Sequence, residues 1–144
     1  MDEIAGKIGE EVIMQIGMVP YEPKHASFFK YCSYQESLKY FEKAFLVVGH
    51  CGTGTILNAL NFQKPIIIVP RRKEFGELNR DDHQIEIAQR LEGTPKIHVV
   101  YDLEDLEGMV KKVLLARRVE EKCNSFPERE KLIKTIMSFI SRTN

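Results

Sequence analysis

No apolar run in this chain approaches the roughly 18–20 residues that a membrane-spanning helix needs; stretches such as Pro65-Ile66-Ile67-Ile68-Val69 are strand-sized. The opening Met1-Asp2-Glu3 is the reverse of the basic start of a secretory signal. The sequence therefore reads as a soluble, cytoplasmic protein. Excess charge is missing too: 21 Lys and Arg balance 21 Asp and Glu, so nothing favours a general nucleic-acid binder. Cysteine is scarce and odd in number, at Cys32, Cys51 and Cys123. Such isolated thiols fit a reducing compartment better than a disulfide framework or a zinc site, which needs paired ligands. Repeats, low-complexity tracts and linkers are also absent, and 144 residues suffice for one domain with a sizeable core.

What is present is an alternation of helical and strand patterns. Asp2–Glu10 carries a short helical pattern, and Glu11–Ile16 reads as a buried strand ending in Gly17. Met18–Ser27, with Pro20 and Pro23, is a loop, and Phe28–Tyr31 a short strand. Tyr34–Ala44 places Leu38 and Phe41 at helical spacing behind Ser33 as N-cap. Strands are expected at Phe45–Val48, Pro65–Val69 and Ile97–Tyr101. Pro70–Arg80 is a charged loop, after which Asp81 or Asp82 caps a helix to Leu91 with Ile85, Ala88 and Leu91 on its apolar face, ended by Gly93. Leu103–Glu121 reads as a helix with Leu106, Met109, Val110, Val113 and Leu114 inward, followed by another at Glu128–Ser141. Short apolar strands alternating with helices predict an α/β fold, a Rossmann-like doubly wound parallel sheet.

The most informative stretch is Val47–Thr55, VVGHCGTGT, followed by ILNALNFQKPIIIVP. In a parallel sheet, the loop that leaves a strand and opens a helix collects ligands, because free N–H groups and the helix dipole converge there. Gly52 and Gly54 lack the Cβ atoms that would block close approach, and Thr53 and Thr55 add hydroxyls, so the loop reads as a phosphate cradle. A bland alternative is a tight turn with a threonine N-cap. A sharper rival is the phosphatase pattern His-Cys-x-x-Gly-x-x-Arg, for which His50, Cys51 and Gly54 fit, but Leu57 holds the arginine position. Without that cation the transferring phosphoryl group has no clamp, and Cys51 reads as a small packing residue.

Three motifs in one order, LVVGHCGTGTILNAL, KPIIIVP and DDHQIEIAQRL, make the chain from Glu11 to Leu91 resemble the C-terminal, sugar-nucleotide-binding half of a family 28 glycosyltransferase. That half belongs to the two-domain fold called GT-B, as in the MurG-type enzymes. The split members are the most similar, including the catalytic subunit of the dolichol-linked N-acetylglucosaminyltransferase and exopolysaccharide subunits of the PssE type, which the stretch PRRKEFGELNRDDHQ resembles in particular.

The resemblance implies a single sugar-nucleotide-binding domain over 1–144. It would be the donor-binding subunit of a split glycosyltransferase, moving a sugar from a UDP-sugar to a lipid-linked or polysaccharide acceptor. The acceptor, and the general base, would be held by a membrane-associated partner subunit, without which the chain is expected to be nearly inactive. No metal and no cofactor besides the donor substrate are implied. Gly52, Thr53, Gly54 and Thr55 would stabilise the leaving diphosphate through helix N-terminal amides. His50 is the candidate catalytic residue, donating to a phosphate or the sugar, or else bonding the loop backbone. Asp82, His83 and Gln84 would face the donor sugar, Gln84 as both donor and acceptor, with simple helix capping as the alternative for Asp82. Arg71, with Arg72 and Lys73, would face phosphates or the partner, or form a solvated charge run.

Two departures stand out. Asn58 stands where the family carries a glutamate for the ribose hydroxyls, giving up charge-assisted strength. Family members also begin with a strand and a Gly-Thr or Gly-Gly loop, whereas Met1 falls inside the expected first helix, so half of the phosphate site is expected to be missing. That strand is central in the usual 3-2-1-4-5 order, and its loss exposes two edges. The expectation is a rearranged sheet or a homo-oligomer. A non-catalytic binding or structural relative is the alternative function.

Overall fold

The computed structural model describes residues 1–71 and 83–124. The chain divides into two compact units, 1–111 and 112–144. The first holds every strand described and the candidate site; of the second, the described part is the end of a helix that begins at Leu106. Among the described residues no helix is long and apolar enough to cross a membrane.

Helix α1 spans Asp2–Ile8 and closes on Gly9, whose φ of 66° is the left-handed cap glycine favours. Asp2, in its first turn, is buried and accepts from the Tyr21 hydroxyl at 2.5 Å and from the backbone amides of Lys24 and His25 at 2.9 and 2.7 Å. These bonds, led by that from Lys24, hold its carboxyl down at about 2, and they staple the loop after β1 onto α1. Strand β1 (Ile13–Gln15) pairs in parallel with β2 (Ser27–Phe29). Helix α2 (Tyr34–Lys43) opens on a complete capping box: Ser33 accepts from the Glu36 amide, and Glu36 accepts from the Ser33 amide at 2.9 Å. Its Tyr40 stacks on Phe29 of β2 at 4.9 Å.

Strand β3 (Val47–His50), β4 (Ile66–Val69) and β5 (Ile97–Val99) form a second parallel sheet in that order. Helix α3 (Thr53–Asn61) connects β3 to β4, and α4 (His83–Leu91) precedes β5. Ile66, Ile67 and Ile68 of β4 are all 0 % exposed. Successive side chains point to opposite faces of a strand, so both faces of β4 are covered, the condition of a doubly wound sheet. Ile66 and Ile68 pack in one core with Cys51, Ile56, Ala59, Ala88 and Ile97. A 3-10 turn at Leu103–Asp105 leads into α5 (Leu106–Asn124), which buries Leu106 and Val110. Lys7 of α1 meets Glu107 of α5 at 2.8 Å, and Lys111 meets the same carboxylate at 2.6 Å.

Most of the pattern-based elements are present, and the differences have physical reasons. The third strand lies two residues later than its apolar run, so His50 is its last residue rather than part of the loop. Glu11–Ile16, expected as a buried strand, contracts to β1, with Ile13 46 % exposed. Its apolar residues marked a strand correctly, but β1 is hydrogen-bonded on one side alone among the described residues. The strands fall into two sheets, β1-β2 and β3-β4-β5, so β3, like β1, has a strand partner on one side alone among the described residues. The half-exposed Val47 and Val48 of β3 mark the second open edge. The last expected helix, Glu128–Ser141, lies outside the described residues.

Candidate functional site

The site is built where β3 gives way to α3. After His50 the chain turns sharply, the Gly52 amide donating to the His50 carbonyl at 2.7 Å. Gly52 is the N-cap of α3 and supplies no side-chain cap. The first helical bond runs from the Ile56 amide to the Gly52 carbonyl at 3.1 Å. The amides of Thr53, Gly54 and Thr55 consequently find no acceptor among the described residues. Uncapped first-turn amides carry the partial positive end of the helix dipole and are the groups that bind anions. The contrast with α2, closed by Ser33 and Glu36, is local sequence chemistry: a hydroxyl and a carboxylate there, two glycines here.

The two glycines of the turn do different work. A Cβ on Gly52 would stand 2.6 Å from His50 Nε2, so this glycine makes room for the protein's own imidazole, which lies over the helix N-cap. A Cβ on Gly54 would meet nothing within 4 Å. Among the described residues, Gly54 therefore has no neighbour that its missing side chain accommodates. The threonine N-cap weighed above is not what forms, since the cap is Gly52 and Thr53 is already helical. Thr55 keeps its methyl near the backbone of β3, 3.3 Å from where a Cβ on Gly49 would lie.

Cys51 is 1 % exposed and belongs to the core, and burial pushes its thiol pKa up. A reactive thiolate needs the opposite environment, so the phosphatase-like spacing has no nucleophile behind it.

Asn58, one turn further along α3, is half-exposed and accepts from the Tyr34 hydroxyl at 3.3 Å. Tyr34 was read only as the start of a helix. Nothing in the sequence pairs positions 24 residues apart, and the contact exists because α2 and α3 lie side by side.

The neighbouring strand end supplies the remaining candidates. His50 is in register with Val69 of β4, so the exits of β3 and β4 are adjacent. Beyond β4 the Arg71 amide donates to Gln84 Oε1 at 3.1 Å, clasping the strand exit to the first turn of α4. That bond uses one of the two lone pairs of Gln84 Oε1. Arg71 and His83 are exposed. Asp82, Arg72 and Lys73 lie outside the described residues. His50, Gly52, Thr53, Gly54, Thr55 and Asn58 thus form one group at the exit of β3, with Arg71, His83 and Gln84 at the exit of β4.

The model of the glycosyltransferase family 28 C-terminal domain matches residues 2–137. The chain is 35 % identical over 81 residues to the UDP-N-acetylglucosamine transferase subunit ALG13 of Candida albicans, covering 54 % of this chain and 25 % of that protein. It is 38 % identical over 85 residues to the protein of the same name from Eremothecium gossypii, covering 58 % of this chain and 37 % of that one. It therefore spans well under half the length of either relative. Among solved structures, the glycotransferase of kitacinnamycin superposes with a TM-score of 0.58 at 19 % identity, over 78 % of this chain and 29 % of that one, and shares its fold. With a family model matched across nearly its whole length, the chain belongs to the glycosyltransferase family 28 C-terminal domains.

Proposed function

We propose that this chain binds the nucleotide-sugar donor, a UDP-sugar, of a split glycosyltransferase. The observation that carries this reading is the set of uncapped amides at Thr53, Gly54 and Thr55 at a strand exit, without an acceptor among the described residues. As the glycosidic bond to the diphosphate breaks, negative charge gathers on the leaving phosphate. Oriented amides and the helix dipole stabilise that charge without having to reorganise. His50 lies over the same helix end and is the candidate donor to a phosphate or to the sugar. Arg71 contributes positive charge from the neighbouring exit, and the Gln84 NH2 group reads a sugar hydroxyl.

The acceptor hydroxyl and its base come, in this reading, from a partner subunit at the membrane, and the chain works on the cytoplasmic side with little activity alone. The word "subunit" in the names of both relatives supports a second component. The open edges of β1 and β3 support a homo-oligomer, in which a strand from another copy covers them. A strictly monomeric species in light scattering would remove that part.

Calorimetric titration of the full chain with UDP and with UDP-N-acetylglucosamine tests the reading. Saturable binding of both is expected. Absence of binding at millimolar nucleotide would instead favour a non-catalytic relative, a reading supported by Asn58 in the glutamate position.

A further inference from the structure

Strand β1 is bonded to β2 along one side, and the phase of those bonds fixes what its other side carries. The Ser27 amide donates to the Val12 carbonyl at 3.0 Å and the Ile16 amide to the Phe29 carbonyl at 3.0 Å, with Met14 opposite Phe28. The backbone groups of alternate residues point the same way along a strand, so Val12, Met14 and Ile16 face β2. The N–H and C=O of Ile13 and Gln15 face away from it and have no partner among the described residues. Ile13 is 46 % exposed and Phe28 40 %, so the two strands also leave apolar surface in water.

Nothing in the segment protects this edge. Val12-Ile13-Met14-Gln15-Ile16 holds no charge, proline or glycine, the devices that keep a strand edge from pairing. Parallel sheets are normally covered on both faces, and two strands are marginal by themselves. A second copy of this chain fits the edge by symmetry. Two copies of one edge related by a two-fold axis run antiparallel, and the pattern of β1 centres that axis on Met14. Ile13 then lies opposite Gln15 of the second copy and exchanges both backbone bonds with it, while the two Met14 side chains meet. Phe28 flanks Met14 on the same face, which gives a continuous apolar row, Phe28-Met14-Met14-Phe28, across the junction. The register sets Glu11 opposite Gly17 and Glu10 opposite Met18, so no like charges oppose one another.

We propose that this chain forms an isologous dimer by antiparallel pairing of β1 with β1 of a second copy, about a two-fold axis at Met14, in a sheet of order β2-β1-β1-β2. The inference rests on the homo-oligomer reading given above and deepens it. The pairing satisfies the outward backbone groups of Ile13 and Gln15 in both copies and covers Met14 and part of Phe28. The same pairing along β3 would lay a strand beside His50, where the candidate site begins. Pairing along β1 adds no strand to β3.

The test combines light scattering on the full chain with disulfide trapping. The wild type is expected to be a dimer. Residues that face each other between the hydrogen-bonded pairs have Cα atoms about 4.5 Å apart, inside the roughly 4.4–6.8 Å that a disulfide spans. Met14→Cys, in a background carrying Cys32→Ser and Cys123→Ser, should therefore oxidise to a covalent dimer joined at position 14, identified by mass mapping. Phe28→Cys in the same background should not, because its two copies stand farther apart by two strand spacings, roughly 10 Å. Gln15→Pro removes an amide that faces away from β2, and should weaken the dimer by about tenfold or more while the far-UV spectrum is kept. A dimer that Met14→Cys does not trap, or traps no faster than Phe28→Cys, would overturn the inference and leave the homo-oligomer reading standing. A strictly monomeric wild type would remove both.

Discussion

Gly54→Ala separates a glycine kept for the fold from one kept for a ligand. Gly54 is the second residue of α3, and a Cβ built there meets nothing within 4 Å. Its φ is not among the positive values found at Gly9, Gly17 and Gly93, so alanine fits the helical backbone without strain. Replacing glycine by alanine in a helix gains about 0.5–1 kcal/mol. For a chain of this size that is a rise of roughly 1–4 °C in Tm. The ligand's side of the balance has the opposite sign. In the proposed complex, a methyl group on residue 54 keeps a phosphate from close approach to the first-turn amides. Hydrogen bonds to a charged group are worth about 1.5–3 kcal/mol each, so losing one weakens binding by roughly 10- to 100-fold. The assay is thermal unfolding of both proteins with and without millimolar UDP, backed by calorimetry. The variant should melt higher when empty and gain less from nucleotide than the wild type. A lower Tm without nucleotide would refute the unstrained helix and the open space. Equal nucleotide-induced shifts would refute the cradle.

Gly52→Asp should displace the His50 imidazole, since its Cβ would stand 2.6 Å from Nε2, and this offsets the few tenths of a kcal/mol that an aspartate N-cap gains over glycine; calorimetry should find UDP binding abolished, the carboxylate having taken the phosphate's place. Acid should unfold the protein partly through Asp2 and Glu107, whose carboxyls are both held at about 2, the first chiefly by the Lys24 amide and the second chiefly by Lys111. Their folded-state values lie below the ordinary 3.8 and 4.5, so the contribution is complete above that range and is lost as pH falls toward 2. Urea midpoints measured from pH 5 to pH 2 should therefore fall less steeply in Asp2→Asn than in the wild type. Cys51 should resist maleimide in the native protein and label only on unfolding, as mass mapping will show, and Cys51→Ala should retain nucleotide binding.

The sequence made β4 legible through Ile66-Ile67-Ile68, since a continuous apolar run of strand length must be covered on both faces. It made α2 legible because Ser33 and Glu36 form a capping box whose spacing is fixed by helix geometry. The uncapped start of α3 was legible for the same kind of local reason: glycines between an apolar strand and a helix leave amides without partners among the described residues. Burial of β1 was not, because apolar character reports what a strand can bury and not which neighbours it finds. The role of Gly52 was half legible. Its missing Cβ mattered as expected, but the group that uses the space is His50, and no local pattern sets the direction of that side chain. The ties between Tyr34 and Asn58, and between Arg71 and Gln84, join separate elements and follow only from their packing.

The central claim is that a nucleotide diphosphate sits on the vacant amides of α3. Backbone amide NMR spectra of the uniformly 15N-labelled full chain, recorded during titration with UDP, test it most directly. Saturable shifts are expected to be largest at Thr53, Gly54 and Thr55, with smaller ones at His50, Asn58 and Arg71. An unchanged spectrum at millimolar UDP, or shifts that saturate elsewhere while these three amides stay in place, would contradict it.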